Sequence, residues 1–554
     1  MVKRTTFLPL LLLGTALAFA QPAAATDYCV DVAATCAPAN NLPHFEDALA
    51  KADDAPDADR IFLGAGTYTA PSAAGFSYLG GPVEVIGKGQ GTTILTNSAF
   101  GAQRVLSLIG GAGTSVHDLT VHIPAGVGTG HQGLATNGTA REIQVTESSG
   151  QLTSLVGVAL FNGAVLEDSA VELNKTDDTA GVVLDSGGGT VRNSIVIGRT
   201  AVESHWGGTL DRVRASGLNN GVIALADITT IKSSLIRVTG QFATGISAVL
   251  MSNANSQVRL DGVALDGPSA AGSTGVGAGN LLGSDHSVQI TIKNSIIRRF
   301  DKAINMLGFG GSGTVHTTAS YSDYDVSKAK SSGTGAGITQ VGITNVGDAG
   351  FANPATGNYH LLPGSPLVDA GDPATPQGLD MDGKTLVTDG DGNGIARRDV
   401  GPFELPTPVS QTPPPPPPAD TGTKSGVGLA TGTDATGVTS VPRDTQPPLI
   451  TGFRTTNKVF AVGRARTAIS ARVRGTRFRY TLSENAKVTV NILRRNGKSA
   501  GKLTRSGKKG ANTLKFSGRI GRKALKHGGY GAVITATDAA GNRSAPRSVK
   551  FRVV

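Results

Sequence analysis

The sequence has little cysteine, few aromatic residues and, after residue 25, no long apolar run. Two cysteines and one tryptophan occur among 554 residues, and aromatic residues make up 5%. This excludes a disulfide-dense scaffold and a zinc site built on several cysteines. A membrane-spanning helix needs about 20 apolar residues, so the later part of the chain has none. Segments with helical periodicity are scarce, which excludes a mainly helical fold.

The N-terminal segment, 1–25, has the pattern of a secretory signal peptide. Lys3 and Arg4 precede the apolar run Phe7–Leu13, and small residues follow at Ala23–Ala25. A short apolar stretch with these flanks is a cleaved targeting signal rather than a membrane anchor. We therefore predict cleavage after Ala25 and a secreted, extracellular or cell-surface-associated protein.

The two cysteines lie just after this segment. Because an exported chain meets an oxidising environment, Cys29 and Cys36 are predicted to form a small disulfide loop. A metal site here would need further ligands, and His44 is the only candidate close in sequence.

Glycine is abundant, and a short phrase recurs along the chain. Gly accounts for 76 of 554 residues, about twice the usual frequency. The phrase alternates apolar and polar residues, and its clearest copies place Asn193, Ser233 and Asn294 in third position. The copies follow one another at the spacing that is typical of stacked repeats. Their third residues are Asp118, Glu142, Asp168, Asn193, Arg212, Ser233, Gly262, Asn294 and Ser320.

This repeat predicts a parallel β-helix. The alternation indicates strands, and each strand buries its apolar face by stacking on the next coil. A β-sandwich, the alternative, has strands about 8–12 residues apart and would not restart with the same phrase. We predict stacked parallel strands over residues 60–345. Asn193, Ser233 and Asn294 should lie at equivalent corners and hydrogen-bond to the next coil.

The start of the repeat region supports this fold by resemblance. Pro43–Ala52 has apolar residues at helical spacing, which predicts a short helix over the open end of the stack. Arg60–Tyr68 and Val83–Leu95 resemble the first coils of secreted right-handed β-helix proteins of the pectin-lyase-like superfamily. The resemblance covers residues 40–345 and implies an all-β fold with a right-handed parallel β-helix. It implies no activity, because this scaffold hosts lyases, hydrolases and adhesins.

Four residues are candidates for catalysis, namely Asp177, Asp178, His205 and Lys232. Their order is similar to that of the polygalacturonases, but the residues flanking His205 and Lys232 depart from that pattern. The alternative is a polar turn at the two aspartates and a packed corner at His205. Three or more charged side chains converging in a groove of the β-helix would favour an enzyme.

Residues 359–404 resemble the closing segment of many bacterial secreted β-helix proteins. Within them, a run of alternating acidic or amide residues and glycine resembles the start of an EF-hand calcium loop. The predicted Ca²⁺ ligands are the side chains of Asp389, Asp391 and Asn393 and the carbonyl of Ile395. The twelfth position is Val400 rather than a bidentate Glu. An ion-free turn therefore remains the alternative.

The rest of the chain differs in composition. Residues 405–446 are rich in Pro, Gly and Thr and are predicted to be a disordered linker. Residues 447–554 carry 25 Lys and Arg against two acidic residues, a net +23, while residues 1–446 carry 26 against 39, a net −13. Alternating strands and a turn at Asp538 resemble a bacterial Ig-like or fibronectin-type sandwich. The predicted domains are thus a signal peptide (1–25), a β-helix with its cap and closing segment (26–404), this linker and a basic sandwich (447–554).

A secreted module of this charge predicts an anionic partner, either a polysaccharide or a cell-envelope polymer. The candidate contact residues are Arg494, Arg495, Lys508, Lys509, Arg522 and Lys523. No nucleic-acid motif is present, so a specific nucleic-acid partner is not expected, and the chain is expected to be a monomer. The favoured function is a non-catalytic binding protein. The alternative is a polysaccharide lyase or polygalacturonase-like hydrolase with the sandwich as an accessory domain.

Overall fold

The computed structural model divides into two compact units, residues 1–415 and 416–554. Residues 1–24 of the predicted signal peptide, Asp177, Arg495, Arg522 and residues 409–446 of the predicted linker lie outside the residues that the structure describes. The described residues are 25–32, 36–53, 58–99, 101–125, 130–148, 154–175, 178–250, 254–280, 285–354, 357–408, 448, 450–460, 475–494, 499–520, 523–538, 544 and 547–554.

The first unit consists of parallel strands that stack in three ladders, one for each side of the coil. Ladder A is a 14-stranded sheet. Its strands, in spatial order, are Asn41–Leu42, Asp27–Val30, Asp59–Leu63, Val83–Ile86, Ser115–His117, Thr139–Arg141, Ala164–Glu167, Gly189–Arg192, Gly208–Asp211, Asp227–Lys232, Ser256–Asp261, Val288–Lys293, Val315–Ser320 and Ala336–Val341.

Ladders B and C form one 19-stranded sheet because two long strands, Ile195–Ser204 and Arg214–Ala224, take part in both. The other strands of ladder B are Gly66–Thr69, Thr93–Thr96, Thr120–Ile123, Gln144–Glu147, Ala170–Glu172, Leu235–Val238, Ala264–Asp266 and Ile296–Arg298. The other strands of ladder C are Phe76–Tyr78, Arg104–Leu108, His131–Thr136, Leu155–Leu160, Thr179–Leu184, Thr244–Val249, Thr274–Gly279, Lys302–Leu307 and Ala329–Ser332. Three faces joined by turns make a parallel β-helix, as predicted.

The chain turns from ladder A to ladder B at a residue in the left-handed conformation, coil after coil. These corner residues are Asp118, Glu142, Asp168, Asn193, Arg212, Ser233, Gly262, Asn294, Tyr321 and Gly342, with φ between 45° and 66°. Asn193, Ser233 and Asn294 are therefore equivalent corners, as predicted. The last predicted position, Ser320, is wrong by one residue. Ser320 pairs with Lys293 inside ladder A, so the corner falls on Tyr321.

Polar contacts between coils inside the stack are made mainly by the serine that follows five of the ten corners. Ser295 Oγ donates to the carbonyl of Lys293 at 2.6 Å and accepts from the Val263 N–H at 3.1 Å. Ser169, Ser194, Ser234 and Ser322 make the same pair of bonds. These serines thus satisfy buried backbone donors of the preceding coil, those of Ile143, Ser169, Val213, Val263 and Ser295.

As predicted, the side chains of two corner residues bond to the adjacent coil, Asn294 to Asp261 at 2.8 Å and Asn193 to Asp168. The prediction is wrong for Ser233, whose Oγ donates to the Leu379 carbonyl of the closing segment at 2.9 Å.

A second repeated feature of the β-helix is a column of glycine residues in ladder C. A Cβ atom on any of its members would lie 2.5–2.6 Å from a backbone oxygen of the adjacent coil, which no side chain can occupy. The column consists of Gly133, Gly157, Gly181, Gly221, Gly245 and Gly275. Valine, leucine and isoleucine fill the remaining interior as one continuous core.

A helix covers the first coils, as predicted. It spans Phe45–Asp53 and buries Phe45, Ala48, Leu49 and Ala52 against strands of ladders A and C. A short 3-10 helix, Pro38–Asn40, precedes it, and another, Val326–Lys328, lies near the last coils. Cys29 and Cys36 form the predicted disulfide.

The closing segment packs against the outer side of ladder B. In the structure this segment begins before residue 359, because the strand Asn358–Leu361 pairs antiparallel with Phe351–Asn353. It forms a separate apolar cluster in which Leu235, Ala264 and Ile296 of ladder B meet Tyr359, Leu361, Leu367, Val368, Val400 and Phe403. The corner Asn294 fixes it, because its carbonyl accepts from Gly401 N–H at 2.8 Å and its Oδ1 accepts from Asp372 N–H at 2.7 Å.

The second unit is a two-sheet sandwich with its own core. A three-stranded sheet holds Ile450–Thr455, Thr476–Leu482 and Gly510–Phe516. A five-stranded sheet holds Val459–Phe460, Arg547–Val553, Gly528–Thr537, Ala486–Arg494 and Ser499–Gly507, and a small pair holds Arg519–Ile520 and Lys523–Ala524. The alternating segments of the sequence, Arg477–Leu482, Lys487–Leu493, Thr513–Phe516, Tyr530–Ala536 and Arg547–Val553, predict five of these strands, and all five are confirmed. Ser499–Gly507 was not predicted, because this exposed edge strand lacks alternating apolar residues.

Candidate functional site

The structure describes three of the four predicted catalytic residues, and it does not bring these three together. Asp178 precedes the ladder C strand Thr179–Leu184, His205 follows Ser204 at the other end of that ladder, and Lys232 ends a strand of ladder A. They therefore lie at three different junctions between the ladders. Within the described residues, no hydrogen bond or ion pair joins any two of the three. His205 contacts Glu203 at 3.3 Å, and this hydrogen bond raises the His205 pKa.

Charged side chains form a regular column on the outer face of ladder A. The residues that precede successive corners are in register and alternate in sign: Arg141, Glu167, Arg192, Asp211, Lys232, Asp261 and Lys293. Arg192 lies 3.3 Å from Glu167, and Lys232 lies 3.9 Å from Asp211. Alternation places each charge between two charges of opposite sign, so the column is close to neutral.

Part of this column lines a cleft of about 220 Å³ beneath the closing segment. Asp211, Arg212, Lys232, Asp261 and Arg398 all border it. Each carboxylate already has a cationic partner, since Asp211 lies 3.7 Å from Arg212 and Asp261 accepts from Arg398 at 2.9 Å. Of the predicted catalytic residues that the structure describes, Lys232 alone lines the cleft.

Buried carboxyl groups lie behind Arg398 in the closing segment. Arg398, Asp399 and Glu404 are at most 2% exposed. Burial raises the pKa of Asp399 to about 6, and burial together with the nearby Asp399 raises the pKa of Glu404 to about 9. Glu404 accepts from the Asp399 N–H, and its own N–H donates to Asp380 at 2.9 Å. The folded segment therefore favours a protonated Glu404.

In the structure, the predicted calcium loop is an acidic turn, and the carboxylate of Asp369 lies beside it. One oxygen from each of Asp369, Asp389 and Asp391 lies within 4.8 Å of the others. Of the other predicted ligands, Asn393 accepts from the Ile395 N–H through Oδ1 at 2.8 Å, and the Ile395 carbonyl stays a predicted ligand. Asp389 also accepts three backbone N–H bonds, from residues 392, 393 and 394. Asp369 escaped prediction because it lies well before the motif in the sequence.

The outer face of the three-stranded sheet in the second unit carries only positive charge. Four exposed cations, Arg454, Arg477, Arg479 and Lys515, project from its strands. Arg454 is directly opposite Arg479, and Arg477 is directly opposite Lys515. Like charges in such register are destabilising, and the three strands contain no acidic residue. The sequence predicts the basic charge of this region but not which of its cations lie opposite one another.

Two of the predicted polyanion-binding residues share a cleft in the second unit. Arg494 and Lys523 line a cavity of about 510 Å³ together with Lys526 and Tyr530. Lys508 and Lys509 do not line it; they lie in the connection between the strands Ser499–Gly507 and Gly510–Phe516.

Comparison with known proteins gives a likeness in fold. No protein-family model and no curated protein match the chain. Solved structures similar to it are the catalytic domain of a GH87 α-1,3-glucanase in complex with tetrasaccharides (13% identity, TM-score 0.35), the A-module of the mannuronan C-5 epimerase AlgE6 of Azotobacter vinelandii (15%, 0.33) and pectate lyase Pel9A (14%, 0.34). The chain is a parallel β-helix protein. The three alignments cover 58%, 55% and 69% of this β-helix chain and 70%, 96% and 97% of the others.

Within the described residues, no helix is long and apolar enough to span a bilayer.

Proposed function

We propose that this β-helix protein is exported and binds an anionic polymer, a polysaccharide or a cell-envelope polymer, through its C-terminal sandwich. The cationic face of the three-stranded sheet carries this proposal. Arginine and lysine placed directly opposite one another repel, and no described carboxylate on those strands relieves the repulsion. A polyanion lying across the strands would neutralise all four cations at once.

The remaining charges of the chain fit this assignment. The sandwich segment carries +23, whereas residues 1–446 carry −13. On the outer face of ladder A the cations alternate with carboxylates and are already paired. Among the described residues, unpaired cations are therefore concentrated in the sandwich. The disulfide and the N-terminal signal pattern support export.

A charge-matched pair of variants tests the binding face. Replacing Arg454, Arg477, Arg479 and Lys515 with Gln should weaken retention on an immobilised acidic polysaccharide by about tenfold or more at low salt, since four exposed ionic contacts contribute about 0.2–1 kcal/mol each. The control replaces four exposed cations of the five-stranded sheet, Lys487, Arg505, Lys550 and Arg552, with Gln. Equal losses in both variants would show that only net charge matters and would contradict a specific face.

The alternative function, a polysaccharide lyase or hydrolase, has one structural observation in its favour. Five charged side chains converge in the cleft beneath the closing segment. Catalysis needs a carboxylate free to accept a proton or bind an ion, whereas Asp211 and Asp261 are both paired with cations. Incubation with an acidic polysaccharide should therefore leave its viscosity unchanged. A fall in viscosity that Asp261→Asn abolishes would establish the enzyme instead.

Calcium binding is proposed at the acidic turn of the closing segment. Asp369, Asp389 and Asp391 can each supply one oxygen, the ligand that Ca²⁺ prefers. Added Ca²⁺ should raise the melting temperature of the β-helix unit, and Asp389→Ala combined with Asp391→Ala should remove that gain. The matched control is Asp285→Ala, at an exposed aspartate outside the closing segment. Identical melting of the wild-type chain in calcium and in chelator would show an ion-free turn.

A further inference from the structure

The sandwich contains a second cationic feature, away from the three-stranded sheet. Its cleft of about 510 Å³ is lined by three exposed cations, Arg494, Lys523 and Lys526, and by the ring of Tyr530. This size is within the range of about 300–1,000 Å³ that small-molecule sites occupy. The described lining includes no carboxylate.

Tyr530 is held rigidly in this cleft. It lies opposite Arg494 in the antiparallel pair of strands. Its ring stacks on Phe551, with centroids 5.7 Å apart and planes 17° apart, and its hydroxyl donates to the carbonyl of Lys526 at 2.9 Å. The ring is only partly buried, so it offers the cleft a flat apolar surface at low entropic cost.

Apolar side chains extend this surface beyond the tyrosine. Ile520 and Leu525 line the same cleft. A ligand that used only charge would gain nothing from these contacts, whereas a ring-shaped ligand with an anionic substituent would use both. Arginine fits a carboxylate through two parallel N–H bonds, which fixes the orientation of the anion as well as its charge.

We propose that this cleft binds a carboxylated sugar ring of an acidic polysaccharide, with the ring against Tyr530 and the carboxylate at Arg494. Lys523 and Lys526 would then meet the charges of neighbouring residues of the polymer. The inference deepens the proposed function and rests on it, since both require the sandwich to bind an anionic polymer. It adds a distinction between polymers made of acidic sugar rings and polymers whose charge lies on an acyclic phosphate backbone.

The test uses the full chain and two probes of equal charge, a four-ring oligouronate and a linear inorganic polyphosphate. Tyr530→Ala should weaken oligouronate binding by about tenfold, the effect of about 1.4 kcal/mol, and should leave polyphosphate binding within about twofold. Tyr530→Phe, which keeps the ring and loses the bond to Lys526, should bind both probes as the wild-type chain does.

The other outcomes of this test contradict either the ring-binding cleft or the proposed function. If Tyr530→Ala weakens both probes equally, or neither, the cleft does not recognise a ring and the inference is overturned. Retained polyphosphate binding by Tyr530→Ala shows that the variant is folded. If the wild-type chain binds neither probe, the proposed function itself fails, which is a different result from a failure of the cleft.

Discussion

Replacing Gly262 with alanine is expected to destabilise the β-helix unit by about 1–3 kcal/mol, the cost of leaving the buried Arg398 guanidinium without its hydrogen-bond partner. A Cβ atom at this corner would lie 1.8 Å from Arg398 Nη2 and 2.9 Å from Cζ. Arg398 is 2% exposed and donates to Asp261, so a Cβ atom at Gly262 would displace its guanidinium from that bond. The left-handed φ of 66° adds about 1–2 kcal/mol for any side chain. Denaturant unfolding measures the change.

The matched control is Gly163→Ala. Gly163 also has a left-handed φ, of 80°, but no described atom lies within 4 Å of its Cβ position. It should therefore show the conformational cost alone, about 1–2 kcal/mol. Similar losses at the two glycines would mean that Arg398 does not lock the closing segment onto the corner at Gly262.

Replacing Glu404 with glutamine is expected to remove most of the pH dependence of this unit between pH 4.5 and 9. The folded state raises the pKa of Glu404 from 4.5 to about 9. Folding therefore favours the protonated acid. Its stabilising contribution is complete below pH 4.5 and is lost as the pH rises through about 9. The slope can reach about 1.4 kcal/mol per pH unit. The pKa of Asp399 is raised from 3.8 to about 6. Its contribution to stability is therefore also lost as the pH rises, but over a lower pH range.

Melting temperatures from pH 5 to 9 measure this dependence. The wild-type chain should lose stability as the pH rises, and Glu404→Gln should stay nearly level and exceed it above pH 7. Glu172→Gln, at an exposed glutamate of the same unit, should follow the wild-type curve. A wild-type curve that rises with pH would contradict the buried, protonated carboxyl group.

The corners of the coil could be predicted from sequence because their causes are local. Asn193 and Asn294 tolerate the left-handed conformation, and the alternating residues before them set the strand register. Tyr321 escaped the prediction because the register there is fixed by Ala319 pairing with Ile292, a contact between coils. The glycine column of ladder C could not be predicted, since nothing in one sequence shows that a backbone oxygen of the adjacent coil lies 2.5–2.6 Å from the missing Cβ.

The sites depend on contacts between distant residues and were predicted less well. The order of Asp178, His205 and Lys232 in the sequence does not reveal that they occupy three different turns. Asp369 reaches the acidic turn only through the fold of the closing segment. The repulsive pairing of Arg477 with Lys515 depends on the antiparallel register of two strands that are not neighbours in the sequence. Net charge, by contrast, is a sum over residues. The basic character of the sandwich could therefore be predicted from the sequence alone.

The central claim is that recognition of an anionic polymer lies in the sandwich, and it is tested most directly by separating the two units. Fragment 26–405 contains the β-helix core and the cluster of the closing segment, and fragment 447–554 contains the sandwich core. The basic fragment should bind acidic polysaccharide or teichoic acid at low salt about as tightly as the full chain, and binding should fall steeply as the Debye length shrinks from about 10 Å at 0.1 M to about 3 Å at 1 M. The β-helix fragment should not bind. Binding that persists at 1 M salt, or that belongs to fragment 26–405, would contradict this account.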